Sequence, residues 1–148
     1  MASYAWFFYA LTAAVLWGIG YVLSEKLLRE GISPAFMMVV SASITLPLYL
    51  LLSVQLENFR ENITHLFGNV KTLISIVMMA LTVVGGNYFV LKSIDQKNAT
   101  LASFVEISYP LFVFLFAWIF FKEVQLNWGT AFGALLIFCG ITVIYLKS

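Results

Sequence analysis

The stretch that decides the fold class is ATLASFVEISYPLFVFLFAWIFF, residues 99–121. A membrane-spanning helix needs about 20 mostly apolar residues, because each residue rises about 1.5 Å and the hydrocarbon core is about 30 Å thick. This stretch is long enough to span, and its one carboxylate, Glu106, lies near the middle. A carboxylate at that depth must lose its water, so membrane proteins retain such residues mainly for function. Glu106 is therefore the first candidate functional residue.

Four more apolar stretches of similar length occupy most of the remaining chain. Because a spanning segment must satisfy its own backbone hydrogen bonds, each is predicted to be an α-helix. The connections are short except for residues 55–71, so neighbouring helices are expected to be antiparallel. We predict an all-α integral membrane protein with one transmembrane domain, residues 1–148, that forms a bundle of five helices at roughly 4–23, 34–54, 72–91, 99–121 and 128–146.

The composition excludes several classes of function. The chain is 62% hydrophobic and 10% charged, with a mean hydropathy of +0.97, and no soluble domain of 148 residues hides so much apolar surface. A net charge of +1 provides no basic face for nucleic acid. His65 has no ligand set at metal spacing, and the lone Cys139 lies inside the last apolar stretch. Without a hydrolase motif either, we predict no metal, no cofactor and no enzymatic activity.

The long connection between the second and third helices has an apolar pattern with helical spacing. Such a pattern is typical of an amphipathic turn that lies on the membrane interface, and an ordinary loop is the alternative. The apolar positions are Leu56, Phe59, Ile63, Leu66 and Phe67.

Three prolines mark helix starts or bends. Ser33-Pro34 is predicted to begin the second helix, with Pro34 in its first turn. Pro47 and Pro110 lie within predicted helices, where each removes a backbone N–H and is expected to bend the helix. A bent helix leaves space that a substrate can use, although such prolines also occur in membrane helices that bind nothing.

The Lys and Arg residues of the connections give only a weak signal for orientation. Cytoplasmic loops are usually richer in these residues. With five helices, one membrane face holds Arg60, Lys71 and Lys122, and the other holds Lys26, Arg29, Lys92, Lys97 and Lys147. This balance weakly favours an outside N terminus and an inside C terminus, so insertion in both orientations is a serious alternative.

Several short motifs follow one another in a recognisable order. The second half contains Lys92-Ser93-Ile94, Asn98-Ala99-Thr100-Leu101-Ala102-Ser103, Pro110, Lys122-Glu123, Gly133 and Gly140, and the first half contains Trp17-Gly18, Gly20-Tyr21 and Gly31-Ile32-Ser33-Pro34. A polar turn, small residues, a proline, an acid at a helix end and two spaced glycines resemble the EamA-like repeat of the drug/metabolite transporter superfamily. The resemblance covers nearly the whole chain.

The resemblance implies that the chain needs a second copy. Full-length members carry two five-helix repeats in opposite orientation with the substrate between them, whereas this chain holds one repeat. An antiparallel homodimer is therefore expected, and a pair with an oppositely oriented sister chain is the alternative. The resemblance also implies a multi-pass protein of the prokaryotic plasma (inner) membrane.

The last helix is the expected dimerisation element. Gly129 and Gly133 form a small-xxx-small pair, and Gly140 lies two turns further along roughly the same face. In the similar small multidrug-resistance proteins the last helix forms the dimer, which implies that role here. Packing of these glycines against helices of the same chain is the alternative.

The candidate substrate site is built around Glu106. A glutamate inside the membrane is expected to pair, to face water or to take up a proton. Tyr109 and Pro110 follow Glu106 by three and four residues, on the same helical side. These residues are predicted to form a cage for an organic cation together with a stripe on the first helix, Trp17, Tyr21 and Glu25. A protonated Glu106 that only hydrogen-bonds between helices is the alternative.

The third helix contains a second polar interruption, Gly85-Gly86-Asn87-Tyr88. Two adjacent glycines permit close approach or local unwinding, and the Asn87 amide can reach a ligand or a neighbouring backbone group. Asn87 and Tyr88 are therefore expected to line the cavity.

Two hypotheses of different class follow from these residues and from the resemblance. The first is a small secondary transporter that moves a small cationic or zwitterionic metabolite by alternating access, coupled to protons through Glu106. The second is a non-transporting membrane subunit that partners a lipid-modifying or flippase complex, as some short relatives in the superfamily do. Membrane lipids are expected partners in both.

Overall fold

Helices and short connections make up residues 4–122 and 128–147, which are the residues that the computed structural model describes. The helices are α1 (Ala5–Arg29), α2 (Pro34–Leu56), α3 (Phe59–Gly68), α4 (Val70–Gln96), α5 (Ala99–Glu106), α6 (Tyr109–Phe121) and α7 (Trp128–Lys147). No strand occurs within these ranges, and the predicted all-α class is confirmed. Glu123, which was predicted to close a helix, lies outside the described residues.

Within residues 4–122 and 128–147, four segments are long and apolar enough to cross a membrane. They are α1, α2, α4 and the continuous apolar segment Ala99–Phe121, which contains α5 and α6. α7 contains a shorter apolar helix, Ala131–Lys147. The chain is therefore an integral, multi-pass membrane protein with four candidate spans, and the fifth predicted span stays a prediction.

α1 and α4 continue for several residues beyond the apolar stretches predicted for them. Hydropathy marks only the part of a helix that lies in hydrocarbon, whereas the backbone hydrogen bonds continue into the polar connection. α1 stops where Gly31 adopts a φ of 90°, a left-handed conformation that glycine enters without a steric penalty. The N–H groups of Gly31 and Ile32 then donate to the carbonyls of Leu28 and Leu27 at 3.0 and 3.2 Å, which forms a Schellman turn.

α2 begins at Pro34, as predicted, and contains Pro47 in its interior. Ser33 precedes it in an extended conformation, and its side chain makes no capping hydrogen bond. The start of α2 therefore rests on the proline, whose restricted φ suits the first helical position. Pro47 does not interrupt the helix, which runs on both sides of it.

The predicted helix 99–121 is interrupted in the structure. α5 ends at Glu106, α6 begins at Tyr109, and Ile107 and Ser108 form a turn between them. The reason is local, because Pro110 has no N–H to donate to the carbonyl four residues earlier, which belongs to Glu106. Pro110 thus interrupts the hydrogen-bond ladder at a short turn, in which Ile107 and Ser108 keep right-handed helical backbone angles.

The described residues fall into two compact units. The first unit contains α1 up to Glu25 and the chain from Gln96 onward, and the second contains Lys26–Asp95. In the first unit, the buried residues Ala99 and Ala102 lie one turn apart on α5, which also packs against α7. One face of α5 is therefore buried within the first unit, and the second unit has buried residues of its own, such as Ile94.

Candidate functional site

Two hydrogen bonds join α5 to α1 within the first unit. The Tyr21 hydroxyl donates to Oε2 of Glu106, and the Ala99 backbone N–H donates to Oε2 of Glu25 at 2.7 Å. Tyr21 and Glu25 lie one helical turn apart, so they project from the same face of α1. Their partners lie at opposite ends of α5, so both ends of this short helix are bonded to a single face of α1.

The order of these contacts shows that α1 and α5 run in opposite directions. The earlier residue of α1, Tyr21, contacts the last residue of α5, and the later residue, Glu25, contacts the first. Antiparallel packing of α1 and α5 agrees with the expectation from the short connections.

The start of α5 is capped from two directions. Oδ1 of Asn98 accepts a hydrogen bond from the Leu101 N–H at 2.8 Å, which is a local N-cap. Glu25 of α1 accepts from the Ala99 N–H, so a residue distant in sequence satisfies a second donor. The first N–H groups of a helix have no partner inside it, and they form its positive end. The Glu25 carboxylate therefore stabilises the start of α5 both as an acceptor and as a charge.

The end of α5 is shaped by Pro110. At the turn, Ser108 N–H donates to the Val105 carbonyl at 3.1 Å, and Leu111 N–H donates to the Ser108 carbonyl at 3.0 Å. These bonds span three residues rather than four, so the chain tightens before α6 begins. The break places the Glu106 carboxyl group at the end of one half-helix, where the continuous backbone ladder stops.

Aromatic rings lie beside the bond between Tyr21 and Glu106. The rings of Trp17 and Tyr21 meet edge to face, with centroids 6.0 Å apart and planes at 64°. Glu106 itself is half-buried. The structure thus brings together three predicted site residues, Glu106, Tyr21 and Trp17. Tyr109 is the first residue of α6 and is 60% exposed, so its role in the site stays a prediction.

This arrangement can bind a proton or a cation. The Glu106 carboxylate accepts one hydrogen bond from Tyr21, and the remaining lone pairs of a carboxylate can accept a proton or pair with a positive group. Aromatic faces attract cations through their quadrupole. Across residues 4–122 and 128–147, no three His, Cys, Asp or Glu side chains are grouped so as to hold a metal ion.

The other predicted cavity residues lie in the second unit. Asn87 and Tyr88 are part of α4. The rings of Tyr88 and Phe89 meet edge to face, with centroids 5.7 Å apart. A Cβ atom built at Gly85 or Gly86 would meet nothing within 4 Å. Their role in a cavity stays a prediction, as does the role of Pro47.

The glycines of α7 do not pack closely against the described part of their own chain. A Cβ atom added at Gly133 or Gly140 would meet no atom within 4 Å, so these positions face open space. Gly129 lies in the first turn of α7 and is exposed. The same-chain packing considered for Gly133 and Gly140 thus finds no close contact among the described residues.

Sequence reasoning grouped Tyr21 and Glu25 with Glu106 in one cation site but missed both hydrogen bonds that join α5 to α1. Tyr21 and Glu25 were assigned to an aromatic and acidic stripe, but neither the bond to Glu106 nor the cap on Ala99 was predicted. The contacts join residues 85 and 74 positions apart, so no spacing rule points to them. The one available signal was that Tyr21 and Glu25 share a helical face.

Comparisons with known proteins place the chain in a family. No curated protein and no solved structure matches it. The model of the EamA-like transporter family matches residues 4–146, which is nearly the whole chain and agrees with the resemblance of its motifs. This match over nearly the whole chain shows that the chain belongs to the EamA-like transporter family.

Proposed function

We propose that this chain is a half-size secondary transporter that moves a small cationic or zwitterionic metabolite across the prokaryotic plasma membrane by alternating access. Members of its family are transporters rather than enzymes, which is the coarser statement that the family match carries. In the proposal, α7 is the fifth span, and two chains in opposite orientation form the working unit. Glu106 binds the substrate cation or a proton.

The observation that carries the proposal is the Tyr21–Glu106 hydrogen bond at the break between α5 and α6. An ionisable residue inside a membrane is energetically costly and usually marks an ion or substrate pathway. Irregular backbone at membrane depth is tolerated only where it is covered by protein or lines a water-filled cavity. A carboxylate at such a break supports a substrate site rather than a purely structural contact.

Tyr21 and a substrate cation would compete for the same carboxylate. While the Tyr21 hydroxyl donates to Oε2 of Glu106, part of the acceptor capacity of the carboxylate is used. Binding of a cation, or of a proton, at the remaining lone pairs lowers the negative charge on the carboxylate and so weakens the hydrogen bond that it accepts from Tyr21. The contact between α1 and the end of α5 then weakens, while the bond between Glu25 and Ala99 holds the other end. The binding of a cation or a proton at Glu106 is in this way coupled to the position of α5 against α1.

In the proposal, a second copy of the chain supplies the inverted repeat that a single repeat lacks. Inverted repeats build the midplane sites of many transporters. In an antiparallel homodimer two copies of Glu106 would face one cavity. The open positions at Gly133 and Gly140 support a helix contact made with another chain.

The test is a Glu106→Gln variant in proteoliposomes, assayed for currents evoked by a panel of organic cations at several pH values. Glutamine keeps the size and accepts a hydrogen bond from Tyr21, but it neither carries charge nor takes up a proton. We expect loss of the pH-dependent currents with the dimer intact. Glu30→Gln, at an exposed acid outside the apolar segments, is the matched control and should behave as wild type.

Unchanged pH dependence in Glu106→Gln would rule out Glu106 as the coupling acid. If the wild-type chain alone gives no current with any cation and becomes active only with a second protein, the non-transporting subunit is the better assignment. In that outcome co-purification from native membranes would identify the chain it serves.

A further inference from the structure

The connection between α2 and α4 contains a separate short helix, α3, that the proposed transport mechanism does not use. α3 has ten residues, which corresponds to a length of about 15 Å at 1.5 Å per residue. This is half the thickness of a hydrocarbon core of about 30 Å, so α3 is too short to cross the membrane. Since α2 and α4 are both candidate spans, the two ends of α3 must lie at the same membrane face.

The tethers that hold α3 are too short to let it leave that face. Glu57 and Asn58 connect it to α2, and Asn69 alone connects it to α4. Glu57 and Asn69 are extended, so neither spanning helix continues into α3. At about 3.5 Å per residue step, the start of α3 stays within about 10 Å of α2 and its end within about 7 Å of α4. The polar layer of a bilayer is itself about 5–8 Å thick on each side.

One face of α3 is apolar, and among the described residues protein covers it only in part, since Phe59 and Leu66 are half-buried. At about 100° per residue, four side chains fall within an arc of about 100°, and Glu61, Thr64 and His65 lie opposite them. No α3 residue is buried, and Phe67 on the apolar arc is 70% exposed. We define the apolar face of α3 as Phe59, Ile63, Leu66 and Phe67.

We propose that α3 is an interfacial helix whose apolar face inserts into the boundary between lipid headgroups and acyl chains. The occupant of this face is lipid, because both ends of α3 are held at the membrane surface and an apolar face in that layer gains by leaving water. Thr64 and His65 then face the aqueous side. The proposal is independent of whether the chain transports a cation.

The charges around α3 indicate that apolar burial, rather than attraction to anionic lipid, holds it in place. Arg60 and Lys71 are balanced by Glu57 and Glu61, so the segment has no net positive charge when His65 is neutral. Polybasic segments bind anionic membranes because their charge is uncompensated. A charge-neutral helix can lie at either membrane face equally well, which is also what insertion in two orientations requires.

The test uses the full chain reconstituted in vesicles, with single cysteines introduced into a Cys139→Ala background and labelled with a nitroxide. Ile63→Cys and Phe67→Cys report on the apolar face, and Glu61→Cys and His65→Cys are the matched controls on the opposite face. Collision with oxygen, which is concentrated in lipid, is compared with collision with a water-soluble nickel chelate. We expect the ratio of the two accessibilities to invert between the faces, in zwitterionic and in anionic vesicles alike.

Three results would overturn the proposal. Equal chelate accessibility at all four positions would mean an ordinary loop in water. Protection of Ile63→Cys and Phe67→Cys from both reagents would mean that protein, such as a second copy of the chain, covers the face. Inversion of the ratio only in anionic vesicles would mean that charge, not the apolar face, places α3 at the membrane.

Discussion

Glu106 and Tyr21 each provide the other with a hydrogen-bonding partner in a segment where water is scarce. Side-chain hydrogen bonds between membrane helices contribute about 0.6 kcal/mol on average, which is too little to hold the fold together alone. Replacing the Tyr21–Glu106 hydrogen bond by a contact between Glu106 and a substrate therefore requires little free energy. At the scale of single residues, the pair therefore suits a reversible binding site.

Replacing Tyr21 by phenylalanine tests this competition. Tyr21→Phe removes the hydroxyl and keeps the ring that contacts Trp17. If Tyr21 and the cation compete for Glu106, its loss should tighten the binding of tetraphenylphosphonium by about threefold, the equivalent of about 0.6 kcal/mol. Equilibrium binding to the purified protein measures the change.

Tyr9→Phe is the control for the tyrosine variant, because Tyr9 is an exposed tyrosine of the same helix. It should leave cation binding unchanged. Weaker binding in Tyr21→Phe would contradict competition and would make Tyr21 part of the surface that receives the substrate.

At the scale of elements, the break between α5 and α6 separates two helices that a hydropathy profile joins. α5 is bonded at its start to Glu25 and at its end to Tyr21, whereas α6 begins afresh at Tyr109. A short helix held at both ends by single hydrogen bonds can change its tilt when one of them is released. The turn at Ile107 and Ser108 is where such a movement would be absorbed.

Pro110→Ala should join the two helices. Alanine restores an N–H that can donate to the Glu106 carbonyl, so the helical ladder can continue through the turn. We expect slower amide exchange over residues 107–111 and slower transport, because a continuous helix resists bending there. Hydrogen exchange followed by mass spectrometry measures the first effect.

Pro47→Ala is the matched control for the break, since Pro47 lies inside a helix that is not interrupted. It should leave the exchange of residues 107–111 unchanged. If Pro110→Ala also leaves that exchange unchanged, contacts with α1 rather than the proline maintain the break.

At the scale of the whole molecule, the near balance of Lys and Arg between the two membrane faces makes insertion in both orientations a serious alternative to the weakly favoured outside N terminus. Single cysteines at Glu30 and Glu57 report on opposite faces, and acidic positions are chosen because they contribute little to orientation. In a Cys139→Ala background, an impermeant maleimide applied to intact cells should label a fraction of each. Labelling of one position alone would show a fixed orientation and would direct the search to a sister chain.

The homodimer makes a separate prediction for α7. Gly140→Leu should be tolerated by the isolated chain, because even a Cβ atom there meets nothing within 4 Å, but it should weaken association if α7 helices pack together. Ala131→Leu places the same side chain on the opposite face of α7 and serves as the control. Subunit counting by photobleaching in lipid measures the association of both variants. Equal association of the two variants would exclude Gly140 from the interface.

The sequence by itself determined the features that depend on local physics. Long apolar stretches specify membrane helices because an unpaired backbone is costly in hydrocarbon, and the helix starts at Pro34 and Asn98 follow from residues at those positions. The position of a bend near Pro110 was also predictable, since a missing N–H acts within one turn. That the interruption is a two-residue turn at Ile107 and Ser108 was decided by the folded chain.

Only the tertiary structure decided which side chains meet. Tyr21 with Glu106 and Glu25 with Ala99 are pairs joined across 85 and 74 residues. Spacing along the chain assigns a residue to a face of its own helix, but it does not set the rotation or axial position of that helix against another. Those are set by packing among all the helices at once, because lipid and neighbouring helices offer similar apolar surroundings to every face.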